Sequence, residues 1–232
     1  MNQSKNHTAV IVFTRSAEKE AEYKNFSSQK SLRFNKNILK GLINKTIALA
    51  RQTNLPVYVV DEKLQHGKSF GEILSNSIED HFAKGYENLI VIGNDCIGLT
   101  KNHLLRTLHL LQNNGTVAGP TTNGGLYLIG ISRSSFDKNS FINLRWQTEY
   151  IFSDFIKVFP AFTISQSGDA NNEHELKQQL QLLGANNKLL QHIQSCFASF
   201  VSFFLRFTEY IKTLTLLHCI GLRAPPVIPL YL

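Results

Sequence analysis

Short apolar runs alternating with amphipathic stretches constrain this chain more than any other feature of its sequence. "AVIVF" (Ala9–Phe13) is too short for a buried helix and apolar throughout, which suits a strand covered on both faces of a parallel sheet. Ile38, Leu39, Leu42, Ile43, Ile47 and Ala50 then recur at helical spacing, with Arg33, Lys36 and Lys40 on another face. "PVYVV" (Pro56–Val60) predicts a second strand. Ser69 with Glu72 predicts a capping box opening a helix striped by Phe70, Ile73, Leu74, Ile78 and Phe82, and Gly85 is placed to end it.

"NLIVIG" (Asn88–Gly93) reads as the central strand, followed by a helix carrying Leu104, Leu105, Leu108 and Leu111 and closed by "NNG". "TVAG" and "LYLIGI" predict two more strands and "AFTIS" a last one, after which Asn172 and Glu175 cap a helix running through Leu183. This rhythm predicts an α/β fold, an open and mostly parallel sheet with helices on both faces. Ligands of such sheets sit outside the carboxyl ends of the strands. That singles out the loops after Phe13, after Gly93 and before Leu126.

With 232 residues, 43% hydrophobic and 18% charged, the chain is long and apolar enough for a real core and is not a disordered protein. Its net charge of +7 is uneven: Tyr23 to Arg51 contains seven basic residues and no acidic one. Such a field favours a phosphate-bearing partner, or is the solvated face of a helix; no motif for reading nucleic acid accompanies it, and none is expected as a partner. Cys96, Cys196 and Cys219 are odd in number and widely spaced, which argues against zinc and a disulfide framework and for a reducing cytoplasm. The polar start "MNQSKNH" does not read as a signal peptide.

Composition changes after Gly184, dividing a domain over residues 1–183 from an aromatic-rich helical extension and Pro-rich tail over 184–232. Phe197, Phe200, Phe204, Phe207, Ile211 and Leu214 recur at spacings of three and four, while Arg206, Glu209 and Lys212 interrupt any run of about 20 apolar residues that could span a bilayer. This extension packs on its own domain, forms a homodimer seam or lies on a membrane surface.

Asp95, just past the central strand in "VIGNDCIGLT", is placed to hold Mg²⁺ or Mn²⁺ against a diphosphate, or to satisfy loop amides and cap the next helix. Cys96 beside it has no identifiable base and reads as a small buried filler. In "GPTTNGGLYLIG", Gly124 and Gly125 let backbone approach a sugar or phosphate, or simply turn the chain; the polar group before them is an amide, Asn123. Gln65 in "QHGKSFGE", with Gly71 beyond it, precedes a helix N-terminus that attracts anions, and Thr14 and Arg15 follow the first strand.

Taken in order, these motifs resemble a bacterial family of glycosyltransferases with the Rossmann-like GT-A nucleotide-diphospho-sugar transferase fold. The family is often labelled arsenosugar-biosynthesis-type and long carried only a domain-of-unknown-function name. The resemblance runs from Ala9 to Leu180 and is carried by "VIVFTRSAEKEAEYKNF", "QHGKSFGE", "VIGNDCIGLT", "GPTTNGGLYLIG" and "RWQT". It implies a nucleotide loop at Thr14 and Arg15, a base- or phosphate-side pair at Gln65 and Gly71, a metal-linked carboxylate at Asp95, a sugar-side loop at Asn123, Gly124 and Gly125, and late-motif residues at Trp146 and Thr148. Three departures stand out. "SAEKEAEYKNF" replaces a first loop rich in Pro, Gly and a Lys-Thr-Arg-like run, although Lys24 is a neighbour of the lost basic end; Ile97 replaces a Pro; and Asn123 replaces an acid.

The expectation is therefore a divergent glycosyltransferase that takes a nucleotide sugar and an unspecified acceptor, with Mg²⁺ or Mn²⁺ as cofactor, Asp95 on the metal and Asn123 on the donor or acceptor. The alternatives are a nucleotidyltransferase of the same fold and a nucleotide- or partner-binding protein without turnover.

Overall fold

A computed structural model describes residues 7–26, 32–112, 115–181, 183 and 187–196. The expectations for "NN" at 113–114, for Cys219 and for the aromatic helix and Pro-rich tail lie wholly or mostly outside the described residues. The chain divides into two compact units, Met1–Ile193 and Gln194–Leu232, and all but residues 194–196 of the described chain belong to the first.

Six strands form one sheet: β1 (Thr8–Phe13), β2 (Val57–Val60), β3 (Asn88–Ile92), β4 (Thr116–Pro120), β5 (Leu126–Ser132) and β6 (Ala161–Thr163), in the order β2-β1-β3-β5-β4-β6. Three pairings, β1 with β2, β1 with β3 and β4 with β6, are parallel; β5 runs antiparallel to both its neighbours. The fold is thus the mixed α/β, mostly parallel arrangement that the rhythm predicts, with the reversal confined to the β4–β5 hairpin.

Both faces are buried, as the unbroken apolar strands require. Ala9, Ile11, Leu89, Val91, Ile129 and Ile131 point to one side, where α3 (Phe70–Ala83), α5 (Lys138–Ile142) and α6 (Ile151–Val158) cover them with Leu74, Ile78, Phe82, Phe141 and Phe155. Val10, Val12, Ile90, Ile92 and Leu128 point to the other, under Ala50 of α2 (Leu32–Arg51) and Leu104, Leu108 and Leu111 of α4 (Lys101–Leu111). Leu105, expected in the stripe of α4, is 37% exposed because it lies just off that face.

The expected punctuation is present with one shift. Ser69 caps α3 by accepting from Glu72 N, but Glu72 reaches back one residue further, to the backbone N–H of Lys68 at 2.7 Å. Gly85 takes φ +96° just beyond the helix end. Asn172 accepts from Glu175 N and opens α7 (Glu173–Gln181). Residues 188–196 are helical, and His192 Nε2 lies 3.0 Å from Asn37 O on α2. No helix among the described residues is long and apolar enough to cross a membrane.

This topology fixes the site. The chain leaves β1, crosses to β2 on one side and returns to β3 on the other, so the loops after β1 and β3 diverge and open a crevice. A short α1 (Ala17–Glu20) lies in the first of these loops.

Candidate functional site

The crevice is a cleft of about 780 Å³ at the carboxyl ends of β1 and β3 and the start of β5. Loops from four distant parts of the chain converge on it, and one strip of backbone, residues 164–172, laces three of them together. Ser167 N donates to Pro120 O at 3.1 Å, Thr122 N to Ser167 O at 3.0 Å and Ala170 N to Asp95 O at 3.0 Å, while Asn172 bridges to Asn25. A fixed backbone of this kind is what holds side chains in one geometry against a ligand.

Asp95 lies where the sequence places it. Its Oδ2 accepts from Lys24 Nζ at 2.8 Å, and the same ammonium reaches Glu20 Oε1 at 3.2 Å. Glu20 in turn accepts from Arg15 Nη1 at 3.2 Å, and the Arg15 guanidinium stacks over Tyr23 at 4.5 Å. The glutamate that would repel a diphosphate is therefore turned inward, 5% exposed, and paired on both sides. Burial alone would push the Lys24 ammonium down, but the Asp95 and Glu20 carboxylates outweigh it and hold the group above the usual lysine value.

Asp169 is the residue that sequence reasoning misses. The lacing strip presents it to the cleft beside Asp95, and its Oδ1 is buried with no hydrogen-bond partner. Burial, reinforced by the negative charge of Asp95, pushes its carboxyl up to about 7, against the pull of Lys24. The Thr121 hydroxyl donates to the Asn123 amide oxygen and, in the same corner, favours the charged form of Asp169. Asp169 thus brings a carboxylate to the corner of Asn123 from a segment 46 residues later. "SGDANN" reads as an ordinary polar loop, and nothing in it signals a buried acid.

The loop carrying Asp95 is set from behind. Lys45 Nζ donates to the carbonyls of Cys96, Ile97 and Leu99 at 3.4, 2.5 and 3.3 Å, and burial pushes its ammonium below the usual lysine value. Cys96 is buried, its thiol donating to Ser167 Oγ at 3.2 Å, and burial raises it to about 11; it fills space, as the sequence suggests, and is no nucleophile near neutrality.

Eight of the ten candidate positions line the cleft: Thr14, Arg15, Gln65, Asp95, Asn123, Gly125, Trp146 and Thr148. Gln65 spends its amide N–H groups on Thr14 O and Val60 O, at 2.7 and 3.1 Å, so it ties the first two strand ends together. Thr148 hydrogen-bonds within its own turn, donating to Arg145 O. Gly71 and Gly124 are not among the residues that line the cleft. A Cβ at Gly71 would sit 2.7 Å from Trp146 Cδ1, so that glycine seats the Trp146 ring, whose Nε1 donates to Phe141 O at 2.7 Å. Gly124 takes φ +81° and a Cβ there would run into the carbonyl oxygen of Glu149, whose loop crosses directly over it.

Lys68 and Ser69, at the N-terminus of α3, also line the cleft, and Lys68 has no ion pair among the described residues. Aligned backbone N–H groups and a lysine at a helix start favour an anion.

Residues 47–148 match a family described as "Uncharacterized protein conserved in bacteria (DUF2064)". Among solved structures, the protein is similar to a "putative nucleotide-diphospho-sugar transferase from Desulfovibrio desulfuricans G20", at 15% identity and TM-score 0.72, over 83% of this chain and 96% of that one. The fold is GT-A-like. The resemblance read from the motifs holds at that level, for a divergent chain. Two mycobacterial structures also match: a protein of Mycobacterium tuberculosis H37Rv at 9% identity and TM-score 0.45, over 76% of this chain and 98% of that one, and a homologue from Mycobacterium sp. strain JC1 at 10% and 0.44, over 78% and 99%. No curated protein matches the sequence. The segment matching the family contains Asp95 and Asn123 but neither Glu20 and Lys24 nor Asp169.

The GT-A fold implies a divalent ion at Asp95. Hard dications want several anionic or neutral oxygens about them. Here the Asp95 oxygen that faces the cluster is given to an ammonium, and no group of three His, Cys, Asp or Glu side chains converges on a metal position among the described residues. The residues present do not fit a divalent ion while Lys24 stays in place.

Proposed function

We propose that the protein is a glycosyltransferase that moves a sugar from a nucleotide sugar to an acceptor hydroxyl. The observation that carries this reading is Asp169: a carboxyl with a buried, unpartnered oxygen, raised to about 7 by burial, in a large cleft at the strand ends where this fold takes its ligands. A proton acceptor matched to neutral pH is what glycosyl transfer needs. Asp169 takes the proton of the acceptor hydroxyl as that oxygen bonds the anomeric carbon. The bond from that carbon to the diphosphate oxygen breaks, and the nucleoside diphosphate leaves with the electron pair.

The charge on the departing diphosphate falls beside the α3 N-terminus and Lys68. Thr14, Arg15 and Gln65 border the end of the cleft at β1 and β2, where the nucleotide is assigned. Asn123, Gly125, Trp146 and Thr148 border the other, where the sugar is assigned. The isolated free thiols of the sequence fit work in a reducing cytoplasm.

A thermal-shift panel of nucleotide sugars tests the reading, because a ligand present at about 100 times its dissociation constant stabilises the native state by about 2.7 kcal/mol. At least one nucleotide sugar is expected to raise the melting point and then to lose its sugar to an acceptor or slowly to water. No shift with any nucleotide sugar would sink the proposal. Binding without turnover, or pyrophosphate release from a nucleoside triphosphate, would replace it with one of the two alternatives read from the sequence.

A further inference from the structure

The strongest unexplained feature of the cleft is a buried lysine among carboxylates that come from three separate segments. Lys24 is 12% exposed at its side chain, yet it lines the cleft. Its ammonium lies 2.8 Å from Asp95 and 3.2 Å from Glu20, and its charge acts on Asp169. The backbone around it is held on both sides: Lys24 N donates to Glu20 O at 3.0 Å, Asn25 bridges to Asn172, and Phe26, fully buried, donates its N–H to Asn35 Oδ1 at 3.0 Å. Removing an ammonium from water is costly unless it is paired and hydrogen-bonded. The chain has committed two carboxylates and a pinned loop to keep this one at the cleft.

We infer that Lys24 is the resident cation of the site: its ammonium, paired with Asp95 and Glu20, supplies beside Asp95 the positive charge that a divalent ion would bring, and meets the anionic diphosphate of a nucleotide directly. An ammonium has three N–H donors; Lys24 donates one to Asp95 at 2.8 Å and pairs with Glu20 at 3.2 Å, which leaves donor capacity for a phosphate oxygen. The charges of Arg15, Glu20, Lys24 and Asp95 cancel. An arriving dication would find a fixed positive charge at close range, and in this cluster Asp169 is the carboxylate without an ion pair among the described residues. Loss of the ammonium reverses that balance, leaving Glu20, Asp95 and Asp169 with Arg15 as the cation paired within the cluster. Both elements of the arrangement, Lys24 and Asp169, lie outside the segment that matches the family. The metal-binding half of the inference stands on the cluster itself; the diphosphate half rests on the reading of the cleft as a nucleotide-sugar site.

Two measurements on the full chain test it. In the first, Mn²⁺ is titrated and free Mn²⁺ followed by its paramagnetic resonance signal. Wild type is expected to bind Mn²⁺ weakly, and Lys24→Ala and Lys24→Met to bind it at least about tenfold more tightly, with Lys24→Arg behaving as wild type. Tight Mn²⁺ binding by wild type that Asp95→Asn removes would overturn the inference without recourse to any Lys24 variant. In the second, uridine and guanosine diphosphates are titrated with and without a chelator. Wild-type affinity is expected to be indifferent to the chelator, and Lys24→Met to lose about tenfold. A diphosphate that binds wild type only with Mn²⁺ overturns the Lys24 assignment and leaves the nucleotide reading intact. Gain of Mn²⁺ binding in Lys24→Ala with no diphosphate binding to any form would do the reverse, upholding the resident cation and sinking the nucleotide reading.

Discussion

The two sides of the cleft are built on different principles. On one, Glu20, Lys24, Asp95 and Asp169 bring charges from three loops into a pocket where several of them are costly to hold. On the other, just behind the lining, Gly71 and Gly124 are consumed by packing: one seats the Trp146 indole ring and the other lets the Glu149 backbone cross. The packed side explains itself by folding. The charged side does not, because a fold indifferent to ligand would gain from apolar replacements there. A residue that is expensive for stability and unexplained by packing is therefore the better pointer to function, even where a glycine-rich motif looks more conspicuous in the sequence.

Asp169→Asn is the sharpest way to break that contrast. The amide cannot accept a proton, so sugar transfer is expected to fall by roughly 100-fold or more while nucleotide-sugar affinity, read by thermal shift, stays near wild type. Equal loss of binding and turnover would place Asp169 among the groups that hold the ground state and not those that move a proton. Full activity would return it to the list of structural acids.

Gly124→Ala probes the packed side. The new Cβ meets the Glu149 carbonyl and the backbone stays at φ +81°, so a loss of about 3 kcal/mol of stability is expected in chemical denaturation. Gly85→Ala is the control: its φ is +96° but the space about it is open, and only about 1 kcal/mol should be lost. Similar costs at the two positions would mean that the Glu149 loop yields, and that Gly124 serves something other than packing.

The same contrast explains what the sequence discloses. The sheet was legible because Ala9–Phe13 and Asn88–Ile92 carry two apolar faces, and a strand covered on both sides has few other solutions. Asp95 was legible because it follows such a strand directly. Gly71 and Gly124 were legible as special positions but not in their purpose, since a glycine that admits a ligand and one that admits Trp146 or Glu149 leave the same letter. Glu20 and Lys24 were hidden because their meaning lies in a contact 71 residues away, between Lys24 and Asp95. Asp169 was hidden most deeply. Its burial is imposed by backbone bonds from Ser167 and Ala170 to two other loops, and no local pattern records those.

The smallest expected effect bears on that hidden acid. A carboxyl near 7 in the folded chain and near its ordinary 3.8 when unfolded keeps its proton in the native state after the unfolded chain has released it. Stability contributed by this group is therefore full below the unfolded value and declines as pH rises through the interval up to about 7, the opposite of a carboxylate held by a salt bridge. Asp169→Asn removes the decline. The variant is expected to exceed wild type by on the order of 2 kcal/mol near pH 8 in urea denaturation, with the gap closing towards pH 4. Should the two pH profiles run parallel, water reaches Asp169 freely; the carboxyl would then be ionised at neutrality like any surface acid, and the charged side of the cleft would lose the one property that distinguishes it from an ordinary network of ion pairs.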